Sequence, residues 1–106
     1  MPRKFKVIVS HEAEKMLLEH MRFLANVSIP ASRRFLASFK DAKQSLAAFP
    51  LSGPYEDEAS LPPETYRTYL FYGRYKILYE VVENEIYIDA IIDCRQDAGS
   101  FVFLQD

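Results

Sequence analysis

The sequence contains a single cysteine, Cys94, which rules out a disulfide framework or a thiolate metal cluster within one chain. A reducing compartment, the cytoplasm, is the natural expectation. The longest apolar run falls far short of the roughly 20 residues that a membrane-spanning helix needs. The opening residues, Met1 to Ser10, lack the long apolar region and small-residue cleavage site of a signal peptide, so no membrane association is expected. Three glycines and six prolines are too few for a linker-rich or repeat protein. There is no glycine-rich phosphate loop and no nucleophile elbow. His11 and His20 have no partner at metal or triad spacing, so neither a metal nor a cofactor is expected.

What is present is core material. Hydrophobic residues make up 49% and aromatics 14%, which excludes a disordered chain and suits one compact domain over residues 1–106. The net charge of −2 hides an asymmetry, because residues 1–50 carry a balance of +5 and residues 51–106 one of −7. A nucleic-acid binder usually shows a clustered basic face, and the helical first half could supply one. The overall balance argues against tight nonspecific nucleic-acid binding.

Hydrophobic periodicity orders the chain. Lys4 to Val9 alternates like a short strand. Ser10 reads as an N-cap, with Glu12 and Glu14 in the first helical turn, where the helix dipole favours carboxylates. Ala13, Met16, Leu17, Met21 and Leu24 then mark a helix face to about Asn26. Ser28-Ile29-Pro30 starts a second helix, with Phe35, Phe39, Ala42, Leu46 and Phe49 on one face and Pro50 at its end. Residues 50–64 read as a proline-rich acidic loop. Thr65 to Phe71, Arg74 to Val82 and Glu85 to Ile92 read as strands joined by hairpins at Tyr72-Gly73 and Glu83-Asn84. Phe101 to Leu104 is a candidate last strand. The order β-α-α-β-β-β predicts an α+β fold in which a helical hairpin packs on a small, mostly antiparallel sheet.

Three stretches are more specific than the element order. They are Val7-Ile-Val-Ser-His-Glu-Ala-Glu14, Leu46-Ala-Ala-Phe-Pro-Leu-Ser-Gly53, and Tyr66-Arg67-Thr-Tyr-Leu-Phe-Tyr-Gly-Arg-Tyr75-Lys76-Ile-Leu-Tyr79-Glu-Val81 with Ile88-Asp-Ala-Ile-Ile-Asp-Cys-Arg95-Gln-Asp97. Together they resemble the RelE/ParE superfamily of bacterial toxins over nearly the whole chain. The resemblance implies the toxin half of a type II toxin–antitoxin (plasmid stabilisation) system. One branch of that family cleaves mRNA on the ribosome; another inhibits DNA gyrase without being a nuclease. Both are silenced by an antitoxin that wraps the toxin and often adds a strand to its sheet.

On the nuclease pattern, Arg67, Lys76 and Arg95 fall at matching positions, with Tyr69, Tyr72 or Tyr75 as a nearby phenol. A 2′-hydroxyl attack on phosphate needs a base, cations for the developing charge and an acid for the leaving oxygen. That chemistry would make the chain a metal-independent endoribonuclease acting on ribosome-bound mRNA. Two residues depart from the pattern: Tyr69 replaces a lysine, and Phe101 replaces a tyrosine. Arginine is a poor base, its pKa lying above about 12. Three readings therefore stay open: a ribosome-dependent nuclease, a gyrase-binding toxin, and a decayed homologue that binds only its antitoxin. Structural roles compete at each site residue. Arg67 could pair with the acidic loop at Glu56–Glu58, Lys76 with Glu80 or Glu85, and Arg95 with Asp93 or Asp97. A cross-strand meeting of Arg67 and Lys76 depends on register. Cys94 is expected to be a buried or partly buried thiol. Arg33 and Arg34 are expected on the antitoxin-facing surface, and the open sheet edge makes a homodimer another expected association.

Overall fold

The computed structural model describes residues 4–95. Its elements are β1 (Lys6–Val9), α1 (His11–Val27), α2 (Ile29–Ala48), β2 (Arg67–Phe71), β3 (Tyr75–Val82) and β4 (Glu85–Asp93). They match the expected order. The candidate strand near Phe101 lies outside the described residues.

The helices start where capping chemistry dictates. The Ser10 side chain accepts the Ala13 backbone N–H at 3.0 Å, and Glu12 and Glu14 occupy the first turn of α1. Ser28 serves both helices. Its backbone N–H donates to the Leu24 carbonyl at 2.7 Å, closing α1, while its side chain accepts from Ala31 N–H at 3.2 Å, opening α2. Buried Ser32 ties the two helices together, its hydroxyl donating to the Met21 carbonyl at 2.9 Å.

The four strands form one mixed sheet in the order β1-β4-β3-β2. β1 runs parallel to β4, while β2–β3 and β3–β4 are antiparallel. The second hairpin is the expected two-residue turn, Glu83-Asn84, with Glu83 at φ 56°. The first is one residue longer than expected. Phe71 pairs with Tyr75, so Tyr72, Gly73 and Arg74 all lie in the turn, with Tyr72 at φ 49° and Gly73 at φ 78°.

The helices cover one face of the sheet. Ala13, Leu24, Phe35, Phe39, Ala42 and Leu46 pack there against Phe71, Tyr75, Ile77, Tyr79, Ile86, Ile88 and Ile91. Phe35 is the hub, with ring centroids of Tyr75 at 4.7 Å, Phe71 at 5.3 Å and Tyr72 at 5.9 Å. A smaller cluster of Leu61, Leu78, Ala90 and Ile92 lies on the other face, under part of the long loop. A bulge in the β3–β4 pairing separates the two sets. Tyr79 pairs with Ile88 and Leu78 with Ala90, so Asp89 has no opposite residue and the inward positions shift from 86 and 88 to 91. Among the described residues, no helix is long and apolar enough to cross a membrane.

Candidate functional site

The loop between α2 and β2 folds back onto the outer edge of the sheet. Tyr55 bridges Arg67, Glu56 N–H donates to the Tyr66 carbonyl at 2.7 Å, and Thr68 N–H donates to the Pro54 carbonyl at 2.9 Å. Residues 54–56 thus cover the free side of the sheet edge at residues 66–68, where β2 begins.

Two side chains fasten this loop from the helix-facing side. The Tyr79 hydroxyl donates to the Pro50 carbonyl at 2.9 Å and accepts the Gly53 N–H at 3.1 Å. Its pKa is raised, chiefly by burial, against the opposing influence of the Gly53 hydrogen bond and the Arg67 charge. Arg67 Nη1 donates to the Gly53 carbonyl at 2.8 Å and to the Leu51 carbonyl at 3.4 Å. Its guanidinium stacks over the Tyr55 ring at 4.0 Å. Arg67 therefore meets loop carbonyls and an aromatic face, not the acidic residues Glu56–Glu58.

The expected meeting of Arg67 and Lys76 does not occur. Arg67 lies opposite Tyr79 and Lys76 opposite Leu70, and strand alternation then puts the two cations on opposite faces of the sheet. Lys76 Nζ bonds Glu56 Oε1 at 2.7 Å, with both side chains largely buried. That pairing replaces the expected ones with Glu80 or Glu85. Tyr69 shares the Arg67 face, lies opposite Ile77 and packs half-buried against the main core. Arg95 lies just past β4, where its guanidinium Nε and Nη2 donate to Asp93 at 3.4 and 3.2 Å. Burial would raise the Asp93 carboxyl, but the backbone and side chain of Arg95, aided by Arg74, bring it below the usual carboxylate range.

Cys94 is exposed, which corrects the expectation of a buried or partly buried thiol. Partial desolvation of its sulfur raises its pKa, with Lys76 opposing, so the thiol is not primed as a nucleophile. His20 is a structural residue. Its Nε2 lies 2.8 Å from the Ile91 carbonyl, and its ring meets Tyr75 edge-on at 5.0 Å. Among the described residues, no His, Cys, Asp and Glu group could hold a metal ion.

The other unusual chemistry is a carboxyl pair that the sequence reading missed. Asp89, the bulge residue, has its carboxyl pushed up to about 8, first by burial and then by its hydrogen bond to Glu80 and the Glu80 charge. Its Oδ2 is buried without a hydrogen-bond partner. Two phenols nearby are also raised, Tyr66 first by burial and then by the Glu80 and Asp89 charges, and Tyr87 first by its hydrogen bond to Glu85. The pair sits beside β1, where the Ser10 hydroxyl donates to the Asp89 carbonyl at 3.4 Å.

Comparison with known proteins identifies the chain's family and fold. A solved structure described as "Chromosomal ParDE TA system from P. aeruginosa" superposes with a TM-score of 0.67 at 12% identity, covering 86% of this chain and 97% of that one. At that identity the likeness concerns the fold. No curated protein gives a significant match. The family model for the ParE toxin of the type II toxin–antitoxin system parDE matches residues 7–98, from β1 to beyond the end of β4. The chain belongs to the ParE toxin family of type II toxin–antitoxin systems.

Proposed function

We propose that this chain is a toxin that acts by binding its target, on the pattern of the gyrase-inhibiting branch, and that a cognate antitoxin holds it inactive. One observation carries the reading: the Arg67 guanidinium is engaged by its own chain, at the Gly53 and Leu51 carbonyls and the Tyr55 ring. A phosphate-cleaving site needs cations converging on one place. Here Lys76 is paired with Glu56 and Arg95 with Asp93. The family match supports the same choice, because the matching model is that of a ParE toxin.

The test is tightly induced expression of the wild type beside a Lys76→Ala/Arg95→Ala variant of verified fold. That variant leaves the Arg67 clamp intact. Growth, mRNA 5′ ends and supercoiling by purified gyrase are measured together. The expected result is growth arrest by both proteins, intact mRNA and loss of gyrase supercoiling. Cleavage of ribosome-bound mRNA by the wild type and not by the variant would establish the nuclease instead. Normal growth with active gyrase would leave only an antitoxin-binding homologue.

A further inference from the structure

The turn after α2 is fastened at almost every step of its backbone. Phe49 N–H donates to the Ser45 carbonyl at 2.8 Å, and Ser52 N–H closes back on the Phe49 carbonyl at 3.1 Å. The carbonyls that follow are taken by the sheet. Pro50 receives the Tyr79 hydroxyl, and Leu51 and Gly53 receive the Arg67 guanidinium. Pro54 receives the Thr68 N–H. The ring of Pro50 fixes its own φ, and Gly53 is packed so closely that a Cβ would strike the Thr68 carbonyl. The turn is thus held from α2, β2 and β3 at once.

What this frame holds up is apolar. Phe49 and Leu51 are 70% and 64% exposed. With the half-buried Phe5, Ala48 and Pro50 they line a cavity of about 590 Å³, and none of its described lining residues is charged. Apolar side chains scattered singly over a surface are ordinary, but these two share one cavity. A neighbouring cavity of about 440 Å³ shares Phe5 and carries Lys4, Lys40 and Lys43, with no acidic residue among its described lining. One flank of the apolar turn is therefore positive.

Resting on the target-binding reading above, we infer that the Phe49–Leu51 turn is the surface with which the toxin grips its target, and that the target is a folded protein presenting an apolar patch flanked by carboxylates. A turn already rigid loses little freedom on binding, so more of the contact energy of Phe49 and Leu51 survives as affinity. Large side chains packed at the centre of an interface carry most of its binding energy. The lysines meet carboxylates at the rim, where charge speeds encounter and sets orientation. An uncharged apolar cavity suits a protein better than a nucleic acid, whose contacts run largely through phosphates. Arg67 is then a positioning residue, because it holds the backbone of the turn and acts on the target only through it.

The test compares the full-length wild type with Phe49→Ser/Leu51→Ser, Lys40→Glu/Lys43→Glu and Val27→Ser, the last altering an apolar side chain 77% exposed at the far end of α1. Each protein is checked for fold by urea unfolding, then assayed for growth arrest and for inhibition of purified gyrase. The double serine variant should lose growth arrest and need about tenfold or more protein to inhibit gyrase. Charge reversal should weaken inhibition about tenfold, most at low salt. Val27→Ser should match the wild type. Arg67→Ala should weaken inhibition although Phe49 and Leu51 remain, and Arg67→Lys, which can still donate to one carbonyl, should restore part of it. If the double serine variant unfolds, the lysine variant decides. Full activity of the double serine variant would overturn the inference. Loss of relief by the cognate antitoxin in that fully active variant would assign the turn to the antitoxin, and loss of self-association would assign it to a second copy of the chain. Arrest by the wild type with gyrase untouched removes the gyrase reading alone, and the turn is then upheld or overturned by whether the double serine variant loses that arrest. A wild type inert in every assay overturns both.

Discussion

Gly53 has no room for a side chain. A Cβ there would lie 2.0 Å from the Thr68 carbonyl oxygen and 2.8 Å from the Tyr79 hydroxyl. The first of these is backbone in β2 and cannot move without breaking the sheet edge. Gly53→Ala should therefore destabilise by about 1–3 kcal/mol, the usual cost of overpacking. Tyr79→Phe should cost about as much by a different route, because it strands a buried Gly53 N–H. Urea unfolding of both variants checks this, and unchanged midpoints would mean the loop is not fastened as described. Asp89 makes the opposite kind of prediction. Its carboxyl is raised from 3.8 to about 8 in the folded chain, so folding favours the protonated form. The stability that Asp89 itself contributes is fully present below pH 3.8 and is lost as pH rises toward 8. Asp89→Asn removes the ionisation, so its thermal midpoint should exceed that of the wild type at pH 8.5 and approach it at about pH 4. A gap of the same size at both pH values would exclude this ionisation as the cause.

At the scale of elements, the helical hairpin depends on one residue that ends α1 and begins α2. Ser28→Ala keeps the backbone bond to Leu24 but loses the side-chain cap on Ala31. The expected cost is about 1 kcal/mol, read from denaturant midpoints. Ser28→Asp should restore most of it; failure of that rescue would deny the cap its role. The starts of both helices were legible because caps and first-turn residues act locally. The strands were legible by alternation, but their exact ends were not. β2 begins at Arg67 and not Thr65, because Tyr66 gives its carbonyl to Glu56. The bulge at Asp89 was invisible too. Ile88-Asp-Ala-Ile-Ile reads as a continuous strand, and only pairing with Tyr79 and Leu78 shows where the phase shifts.

For the whole molecule, the α+β architecture could be read in advance because each face carries its own hydrophobic period. The candidate site could not, because it depends on pairings between distant segments. Arg67, Lys76, Arg95 and Tyr69 stand close in a strand-rich stretch of sequence, yet the register places Arg67 and Lys76 on opposite faces. The loop that receives Arg67 and Lys76 comes from residues 51–56, where proline and glycine announce a turn but not its destination. Likewise, the hydrogen bond of the Tyr79 hydroxyl to the Pro50 carbonyl joins residues 29 positions apart, which no local pattern announces. The uneven finish of the sheet has a consequence for assembly. Residues 54–56 already take the outward N–H of Thr68 and the outward carbonyl of Tyr66, so another chain cannot extend the sheet along that stretch of β2.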